Sequence, residues 1–244
     1  MPPERAAEPE RFFFCHMQKT GGISLYLRLQ RQFGEQGIYP DDGDGDPATV
    51  SPQIMLPVLL ERWAARGDQI RVITGHFPLC TTDLLDAEFR TFTILRNPVE
   101  RTLSYLRHHR STTPEDAGLT LEEIYEDPGN FKHLIHDHMV KMLSLRAEEL
   151  RPTAMMTVVD LDAGRLRTAK SALEGMDAFG LQDDLEGFAQ RLERVFGWQL
   201  GPAVHVNVTA PVDVPSSFRR RIAEDNRLDM ELYEYARELL EAHG

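Results

Sequence analysis

Apolar and amphipathic segments alternate along the first half of the chain. The apolar run from Phe12 to about His16 predicts a strand buried on both faces, because three consecutive phenylalanines leave it no polar side. Beyond a pair of glycines, polar residues recur on one side of a segment from Gly22 to about Phe33, which predicts an amphipathic helix. The chain therefore begins with a strand, a glycine turn and a helix.

The same alternation continues along the next segments. A helix is expected from about Pro52 to Arg66, followed by the strand-like runs "QIRVIT" and "FRTFTIL". A further helix is expected to begin at Pro98 and to end near His109, with Asn97 as its N-cap. Strands that alternate with helices predict an α/β fold in which a parallel sheet is flanked by helices.

From Leu119 onward the pattern is mainly helical, so the C-terminal half is expected to be rich in helices. Helical spacing is found in "LEEIYED", "FKHLIHDHMVKMLSL", "AGRLRTAKSALEGM", "LEGFAQRLERVF" and two segments that follow Pro215. The short apolar runs "TAMMTVV" and "DAFGL" are candidates for one or two further strands. No linker divides the chain, so we predict a flexible tail over residues 1–10 and a single domain over residues 11–244.

The charge balance restricts the partners that the protein can bind. The 244 residues include 27 Lys and Arg against 39 Asp and Glu, which gives a net charge of -12. This excess of acid argues against a nucleic-acid partner, so an anionic ligand needs a local cationic site. Two cysteines are too few for a disulfide framework, and no apolar run is long enough to span a membrane. We therefore expect a cytoplasmic protein without a membrane span, and the oligomeric state stays open.

The turn after the first strand combines the groups that bind an anion. "QKTGGIS" has Lys19 and Thr20 before two glycines and Ser24 after them, where a helix is expected to begin. Lys19 adds a positive charge, and the two hydroxyls add hydrogen-bond donors. Free backbone amides at a helix N-terminus attract negative charge, and glycines let a ligand approach the backbone. The amides concerned are those of Gly21, Gly22, Ile23 and Ser24. The turn therefore predicts a bound phosphate or sulfate.

A second anion site is expected at the start of the helix that follows Asn97. "ILRNPVERTLSYL" has Arg96 at the end of a strand, and Ser104 follows Asn97 by two helical turns, hence on the same face. Arg96 and Ser104 can then bind one phosphate together. The alternative is a surface arginine and an ordinary helix serine, which the presence of both motifs disfavours.

The order of residues separates the first turn from the common nucleotide-binding loop. The Walker sequence G-x-x-x-x-G-K-[ST] has its lysine after the glycines, whereas Lys19 precedes Gly21 and Gly22. An ordinary ATPase loop is therefore disfavoured. A phosphoryl-transfer enzyme of similar topology stays open as an alternative, as does a nucleotide-binding protein without turnover.

Three segments together resemble a known family. "HMQKTGGIS", "GHF" and "ILRNPVERTLSYLRH" resemble the sulfotransferases that use 3′-phosphoadenosine 5′-phosphosulfate (PAPS), most closely the carbohydrate 2-O-sulfotransferase branch and its bacterial relatives. The C-terminal segments "FGLQDDLEGFAQRLERVFGW" and "IAEDNRLDMELYEYARELL" follow in the order expected for that branch. The resemblance extends from Phe12 to Leu240 and implies a P-loop-kinase-like sulfotransferase architecture.

The resemblance also implies roles for individual residues. It implies that the 5′-phosphosulfate of PAPS is bound by Lys19, Thr20, Gly21, Gly22, Ile23 and Ser24, and the 3′-phosphate by Arg96 and Ser104. Lys19 and the helix amides would stabilise the charge that develops on the leaving phosphate oxygen, and no metal is required. Ile23 departs from the family pattern, in which a hydroxyl residue is usual, so one side-chain donor is lost while the backbone amide remains.

His76 in "GHF" matches the histidine that acts as general base in the 2-O branch. An imidazole titrates near neutral pH, so it can take the proton of an acceptor hydroxyl. We expect His76 beside the first loop, because a strand through Ile73 would neighbour the first strand in a parallel sheet. A buried histidine that only orders its own loop is the alternative.

Two further polar segments are open to more than one interpretation. In "HLIHDH", His133 and His136 share a helical face while His138 points away, and no distant partner completes a set, so no metal is predicted. His136 and Lys141 are instead candidates for binding the acceptor. "SSFRRRI" is a candidate anion patch or a solvated helix start capped by Ser216.

The sequence thus predicts a PAPS-dependent sulfotransferase that transfers a sulfuryl group in line to a hydroxyl and releases 3′-phosphoadenosine 5′-phosphate (PAP). The acceptor is expected to be a carbohydrate, a lipid or a small metabolite. A net charge of -12 disfavours a long anionic glycan, which would need an extended basic groove.

Overall fold

In the computed structural model, which describes residues 10–41, 43–44, 51–202 and 213–243, five parallel strands form one sheet. The strands are β1 (Phe12–Cys15), β2 (Ile38–Tyr39), β3 (Val72–Ile73), β4 (Arg90–Leu95) and β5 (Ala178–Leu181). Their order is β2-β3-β1-β4-β5, with β1 at the centre. Each neighbouring pair is parallel, which confirms the predicted parallel sheet.

Helices flank the sheet and dominate the C-terminal half. The first half contains α1 (Gly22–Phe33), α2 (Ser51–Ile54), α3 (Leu56–Arg66) and α4 (Pro98–Thr112). The second half contains α5 (Leu121–Glu126), α6 (Pro128–Asn130), α7 (His138–Ser144), α8 (Ala163–Gly175), α9 (Leu185–Phe196), α10 (Ser216–Asp225) and α11 (Arg227–His243). A π-helical turn, Phe131–Ile135, separates α6 from α7.

Strand β1 contributes to the apolar core on both faces of the sheet. Phe13 and Cys15 pack on one face with residues of α7, α8 and α11. Phe12 and Phe14 pack on the other face with residues of α1 and α9. The four side chains are at most 2% exposed, so the prediction of a strand buried on both faces is confirmed.

A third apolar cluster fixes α4 against the helical half of the protein. Leu103 of α4 packs there with Ile124 of α5 and Ile222 of α10. The predicted cap of α4 is confirmed, since the Asn97 side chain accepts hydrogen bonds from the amides of Val99 and Glu100. The third cluster and the cap therefore hold α4 in place at the end of β4.

Two sequence predictions near Met55 are wrong for one shared reason. The helix expected from Pro52 to Arg66 is interrupted at Met55, which is extended and forms an antiparallel bridge with Thr153. The amide of Leu56 donates to the carbonyl of Pro152 at 2.8 Å instead of continuing a helix. The run "TAMMTVV" is correspondingly not a strand, because after this single bridge it forms the 3₁₀ turn Ala154–Met156.

The helix expected over "FKHLIHDHMVKMLSL" is broken at Asp137. His136 is extended and Asp137 has a left-handed backbone with φ of 40°, so α7 begins only at His138. The Asp137 amide donates to the Asn226 side chain at 2.9 Å, and its carboxylate accepts from the amide of Asp229 at 2.8 Å. The residues that contact Asp137 are far away in the sequence, at the start of α11. The local pattern of apolar and polar residues therefore does not predict the break.

Several further predictions can be compared with the described residues. The helix from Gly22 to Phe33 and a strand within "DAFGL" are confirmed. Ser216 is not a cap, because it is the first residue of α10 and Pro215 occupies the N-cap position. The two-residue strand β2 was not predicted. The predicted tail lies outside the described residues except for Glu10, and the single domain stays a prediction.

The described helices include none that is both long and apolar enough to span a membrane.

Candidate active site

Three loops meet at the carboxyl edge of the sheet. Because β1 lies between β3 and β4 and all three strands are parallel, the loops that begin at His16, Thr74 and Arg96 leave the sheet side by side. Strand order reverses here, since β3 lies on one side of β1 and β4 on the other. Ligands of open parallel α/β sheets bind in the crevice at such a reversal. The prediction that the strand through Ile73 neighbours the first strand is confirmed.

The first loop has the backbone geometry of an anion cradle. Lys19 and Gly21 are left-handed, with φ of 66° and 89°, and Gly21 is the N-cap of α1. Since no side chain caps this helix, its first amides stay free to bind a ligand. Thr20 is fully buried, and its hydroxyl donates to the Met17 carbonyl at 2.9 Å. This side chain therefore stabilises the conformation of the loop.

A hydrogen bond joins the first loop to the loop after β4. The Arg96 Nη1 donates to the Lys19 carbonyl at 2.9 Å, so both predicted cationic residues lie at the same place. Burial lowers the pKa of Lys19, and the guanidiniums of Arg96 and Arg107 lower it further. Burial also lowers the pKa of Arg96, an effect that Glu100 opposes and Arg107 increases. The cations here repel one another, which is the condition that a bound anion relieves.

Arg107 was not singled out from the sequence, although a signal was present. It follows Ser104 by three residues on α4, so the two share a helical face. In the structure Arg107 lowers the pKa of both Lys19 and Arg96, so its guanidinium lies near theirs. The Nε atoms of Arg96 and Arg107 are both buried without a hydrogen-bond partner. These unpartnered donors fit an anionic ligand.

His76 lies on the loop after β3, and one of its ring nitrogens forms a hydrogen bond with the backbone. Its Nδ1 lies 2.8 Å from the carbonyl of His16, and since a carbonyl can only accept, Nδ1 carries the proton. Its Nε2 is then the unprotonated nitrogen that can accept a proton. Burial lowers the pKa of His76 to about 4, with a further contribution from Lys19, so the ring is neutral at pH 7. A neutral imidazole with a bare Nε2 has the form that a general base requires.

The two acceptor candidates lie in different surroundings. His136 is partly exposed, with its Nε2 3.6 Å from the Asp137 carboxylate. Lys141 is only 1% exposed, and its Nζ donates to the His133 carbonyl at 2.6 Å. Burial lowers the pKa of Lys141 to about 7, and Arg101 lowers it further. The ammonium of Lys141 is thus held within the fold, and contact of either residue with an acceptor stays a prediction.

The histidines of "HLIHDH" diverge in the structure. The Nδ1 of His133 pairs with the Met156 carbonyl at 2.7 Å, whereas His138 is fully buried at the start of α7. Within the described ranges, no group of three or more His, Cys, Asp and Glu side chains is arranged to hold a metal.

The predicted anion patch of α10 is largely engaged in ion pairs. Arg219 pairs with Glu100, and Arg221 pairs with Glu126 at 2.7 Å. Arg219 also lines an open pocket of about 620 Å³ that extends over the start of α4. On the first loop, Ile23 is 49% exposed, so the residue that departs from the family pattern faces solvent rather than the core.

Fold and site together define a parallel α/β protein with an uncapped helix N-terminus and a lysine at the central strand, and a neutral histidine beside them. No model of a known protein family matches the chain. Human heparan-sulfate 6-O-sulfotransferase 1 is 30% identical over 275 residues, which cover 93% of this chain and 65% of that protein. Heparan-sulfate 6-O-sulfotransferase 2 of Gallus gallus is 30% identical over 267 residues, covering 93% of this chain and 66% of that protein. The chain is therefore similar to sulfotransferases over nearly all of its length, and it spans slightly less than two thirds of the length of these curated relatives.

A solved structure extends the comparison to the fold. The crystal structure of a sulfotransferase from Alicyclobacillus acidocaldarius superposes with a TM-score of 0.53 at 15% identity, covering 94% of this chain and 95% of that one. The sulfotransferase architecture predicted from the sequence is thus confirmed as the fold. The relatives bear the 6-O name, whereas the resemblance in the sequence pointed most closely to the 2-O branch.

Proposed function

We propose that the protein transfers a sulfuryl group from PAPS to a hydroxyl of an acceptor. The observation that carries this proposal is the bond between Arg96 and the Lys19 carbonyl, which brings two predicted anion sites into one crevice. A donor with two separate anionic groups, such as PAPS, matches two linked cationic loops. The unpartnered Nε atoms of Arg96 and Arg107 fit the same donor.

In this proposal the donor is held by backbone and side chains together. The 5′-phosphosulfate binds to Lys19 and to the free amides of α1, and the 3′-phosphate binds to Arg96 and Ser104. As the bond to sulfur breaks, negative charge develops on the phosphate oxygen, where Lys19 and the helix dipole stabilise it. Thr20 acts through the shape of the loop, because its hydroxyl is engaged with Met17.

His76 is the proposed general base. The acceptor O–H bond breaks as its oxygen bonds to sulfur, and the proton moves to Nε2 of His76. The hydrogen bond from Nδ1 to the His16 carbonyl supports this role, since it leaves Nε2 without a proton. His136 and Lys141 are proposed to act on the acceptor side, Lys141 through the backbone of His133 that it binds.

Two observations support a neutral carbohydrate as the proposed acceptor. Relatives at 30% identity are named as heparan-sulfate 6-O-sulfotransferases, which favours a carbohydrate hydroxyl over a lipid or another small metabolite. The net charge of -12 favours a neutral sugar over a long anionic chain. A cytoplasmic, bacterial-type enzyme is part of the same proposal and is supported by the small number of cysteines, of which Cys15 and Cys80 are free and buried.

Thermal unfolding with PAP tests the donor site. PAP at one hundred times its dissociation constant should stabilise the wild type by ~2.7 kcal/mol, while ATP at the same concentration should have much less effect. Arg96→Ala should lose the PAP shift, and Arg71→Ala, at the opposite end of the sheet, should keep it. An equal shift with ATP would favour a phosphoryl-transfer enzyme. PAP binding without sulfuryl transfer to any carbohydrate would favour a binding protein.

A further inference from the structure

Four aromatic rings form a stack that leads from the core to His76. The rings of Phe92 and Phe14 are parallel within 2°, with centroids 5.0 Å apart. The His16 ring lies 4.8 Å from the Phe14 ring at 7°, and the His76 ring lies 4.3 Å from the His16 ring at 46°. Phe14 and Phe92 are fully buried on adjacent strands. The stack therefore connects the proposed base to the rigid centre of the sheet.

Two hydrogen bonds between the same loops fix the orientation of both histidine rings. The Nδ1 of His16 pairs with the Thr74 carbonyl at 3.0 Å, and the Nδ1 of His76 pairs with the His16 carbonyl at 2.8 Å. Because carbonyls only accept, both rings carry their proton on Nδ1. The loops after β1 and β3 thus each donate to the other.

The first loop leaves space for the His16 ring. A Cβ atom built on Gly22 would lie 1.9 Å from Nε2 of His16, which is far inside contact distance. Any side chain at Gly22 would therefore displace the ring from beneath His76. The second glycine of the anion loop has a role in this stack as well as in the approach of a ligand.

We propose that His16 is a positioning residue for His76. The His16 ring packs against the His76 ring and holds it so that Nε2 of His76 stays available to the acceptor hydroxyl. This inference rests on the proposed function, because it presupposes that His76 takes the acceptor proton. His16 itself touches the base and not the reacting atoms. Its ring supplies the packing surface, and its carbonyl fixes the Nδ1 tautomer of the base.

The charges around the two rings are consistent with this role. Burial lowers the pKa of His16 well below its ordinary value, and His76 and Lys19 lower it further. On the other side His138 of α7 is also held neutral, mainly by burial and by Lys141. Lys19 is thus the cation that acts on both stacked rings. A neutral His16 adds no repulsion when His76 receives a proton.

Two substitutions separate the ring of His16 from its nitrogen. His16→Phe keeps a ring between Phe14 and His76 but cannot donate to Thr74. His16→Asn keeps a donor near the position of Nδ1 but removes the ring. Each variant is measured for kcat against pH, for the dissociation constant of PAP, and for the protonation midpoint of His76 by ¹⁵N NMR.

The ring is expected to matter more than the nitrogen. His16→Asn should lower kcat ~10-fold, because a loosely held base loses part of its catalytic advantage. It should also raise the protonation midpoint of His76 from about 4 towards its ordinary 6.5, as water reaches the exposed ring face. His16→Phe should keep kcat within about threefold and leave the midpoint unchanged. PAP affinity should be the same in both variants.

Three outcomes would overturn the proposal. A larger loss in His16→Phe than in His16→Asn would mean that the His16 nitrogen takes part in the chemistry. A loss of PAP affinity without a change at His76 would make His16 a support of the donor loop only. An unchanged kcat and an unchanged protonation midpoint of His76 in His16→Asn would show that the His16 ring does not hold His76 in position. Failure of the proposed function is distinct, because the wild type would then transfer no sulfuryl group.

Discussion

Charged residues are arranged in opposite ways at the sheet edge and at the junction of α7 with α11. At the sheet edge Lys19, Arg96 and Arg107 repel one another, and two guanidinium Nε atoms have no partner. At the junction Asp229 is fully buried, yet its carboxylate accepts from the amides at Met139 and Val140. Cations lie near other cations at the sheet edge, whereas at the junction the Arg101 guanidinium faces the Asp229 carboxylate, although Nε and Nη1 of Arg101 also lack a hydrogen-bond partner.

The two arrangements have different physical consequences. Arg101 binds the carbonyls of Leu134 and Ile135 at 3.0 Å each, so this buried cation holds the end of the π-helical turn. Asp137 and Asp229 each accept from the backbone where the other's helix begins. Buried groups of opposite charge maintain a fold, while cations that repel one another in a crevice leave favourable interactions for an anionic ligand. The comparison predicts that substitutions in the two regions affect different measurements.

The largest effect is expected for His76→Ala. Loss of the proposed general base should lower kcat by roughly 10²–10⁴-fold. Stabilisation by PAP should be retained, because no cation is removed. In the wild type, kcat needs the neutral ring and should fall only as the pH drops through about 4. Steady-state kinetics and thermal unfolding check both statements, and a variant that keeps its rate would remove His76 from the mechanism.

The next effect concerns stability at the junction. Asp229→Ala leaves two helix amides and Arg101 without their buried carboxylate, so the free energy of unfolding should fall by about 3 kcal/mol. The exposed cap Asp162, which accepts from the amide of Arg165, is the matched control. Asp162→Ala should cost only about 1 kcal/mol. Urea unfolding measures both, and equal costs would contradict the contrast between buried and exposed caps.

A smaller effect is expected for Arg107→Ala. Removing a cation that faces the same crevice should weaken PAP binding ~10-fold, or about 1.4 kcal/mol, with little change in stability. Arg110→Ala, one turn further along α4, serves as the control. Titration calorimetry measures both affinities. If the two variants bind PAP equally well, Arg107 does not belong to the site.

The smallest effect is expected for Ile23→Thr. The substitution restores a hydroxyl donor at a half-exposed position of the loop, so PAP binding should tighten about fivefold, or ~1 kcal/mol. Ile23→Val is the control without a donor and should leave the affinity unchanged. Tightening in both variants would assign the effect to side-chain shape instead of hydrogen bonding.

Local signals predicted the elements that form the sheet edge. The phenylalanine run, the glycine pair and the Asn97 cap each act within a few residues, and the structure confirms β1, α1 and the cap of α4. The two-residue strand β2 had no such signal, because it is defined by its pairing with β3. The break at Asp137 likewise depends on α11, which is about ninety residues away.

The same distinction applies to the candidate site. Arg96 directly follows β4, His76 follows β3 and Gly75, and Lys19 lies between β1 and the glycine pair, so the sequence indicated all three before the structure brought them together. His16 and Arg107 were overlooked because their importance lies in neighbours rather than in a motif. A histidine inside an apolar run is typical of a core residue, and an arginine on a helix is typical of a surface residue.

Helix α4 has a consequence for how this protein can diverge. Ser104 and Arg107 lie on this helix, Arg96 lies two residues before it and Lys19 lies on the first loop, so under the proposed function donor binding depends on two short contiguous segments, of which α4 also anchors the core. Acceptor contacts are expected from other loops. Under the proposed function, mutation can therefore change acceptor specificity stepwise while the donor segments stay unchanged, which makes this chain a modular starting point for engineered sulfation.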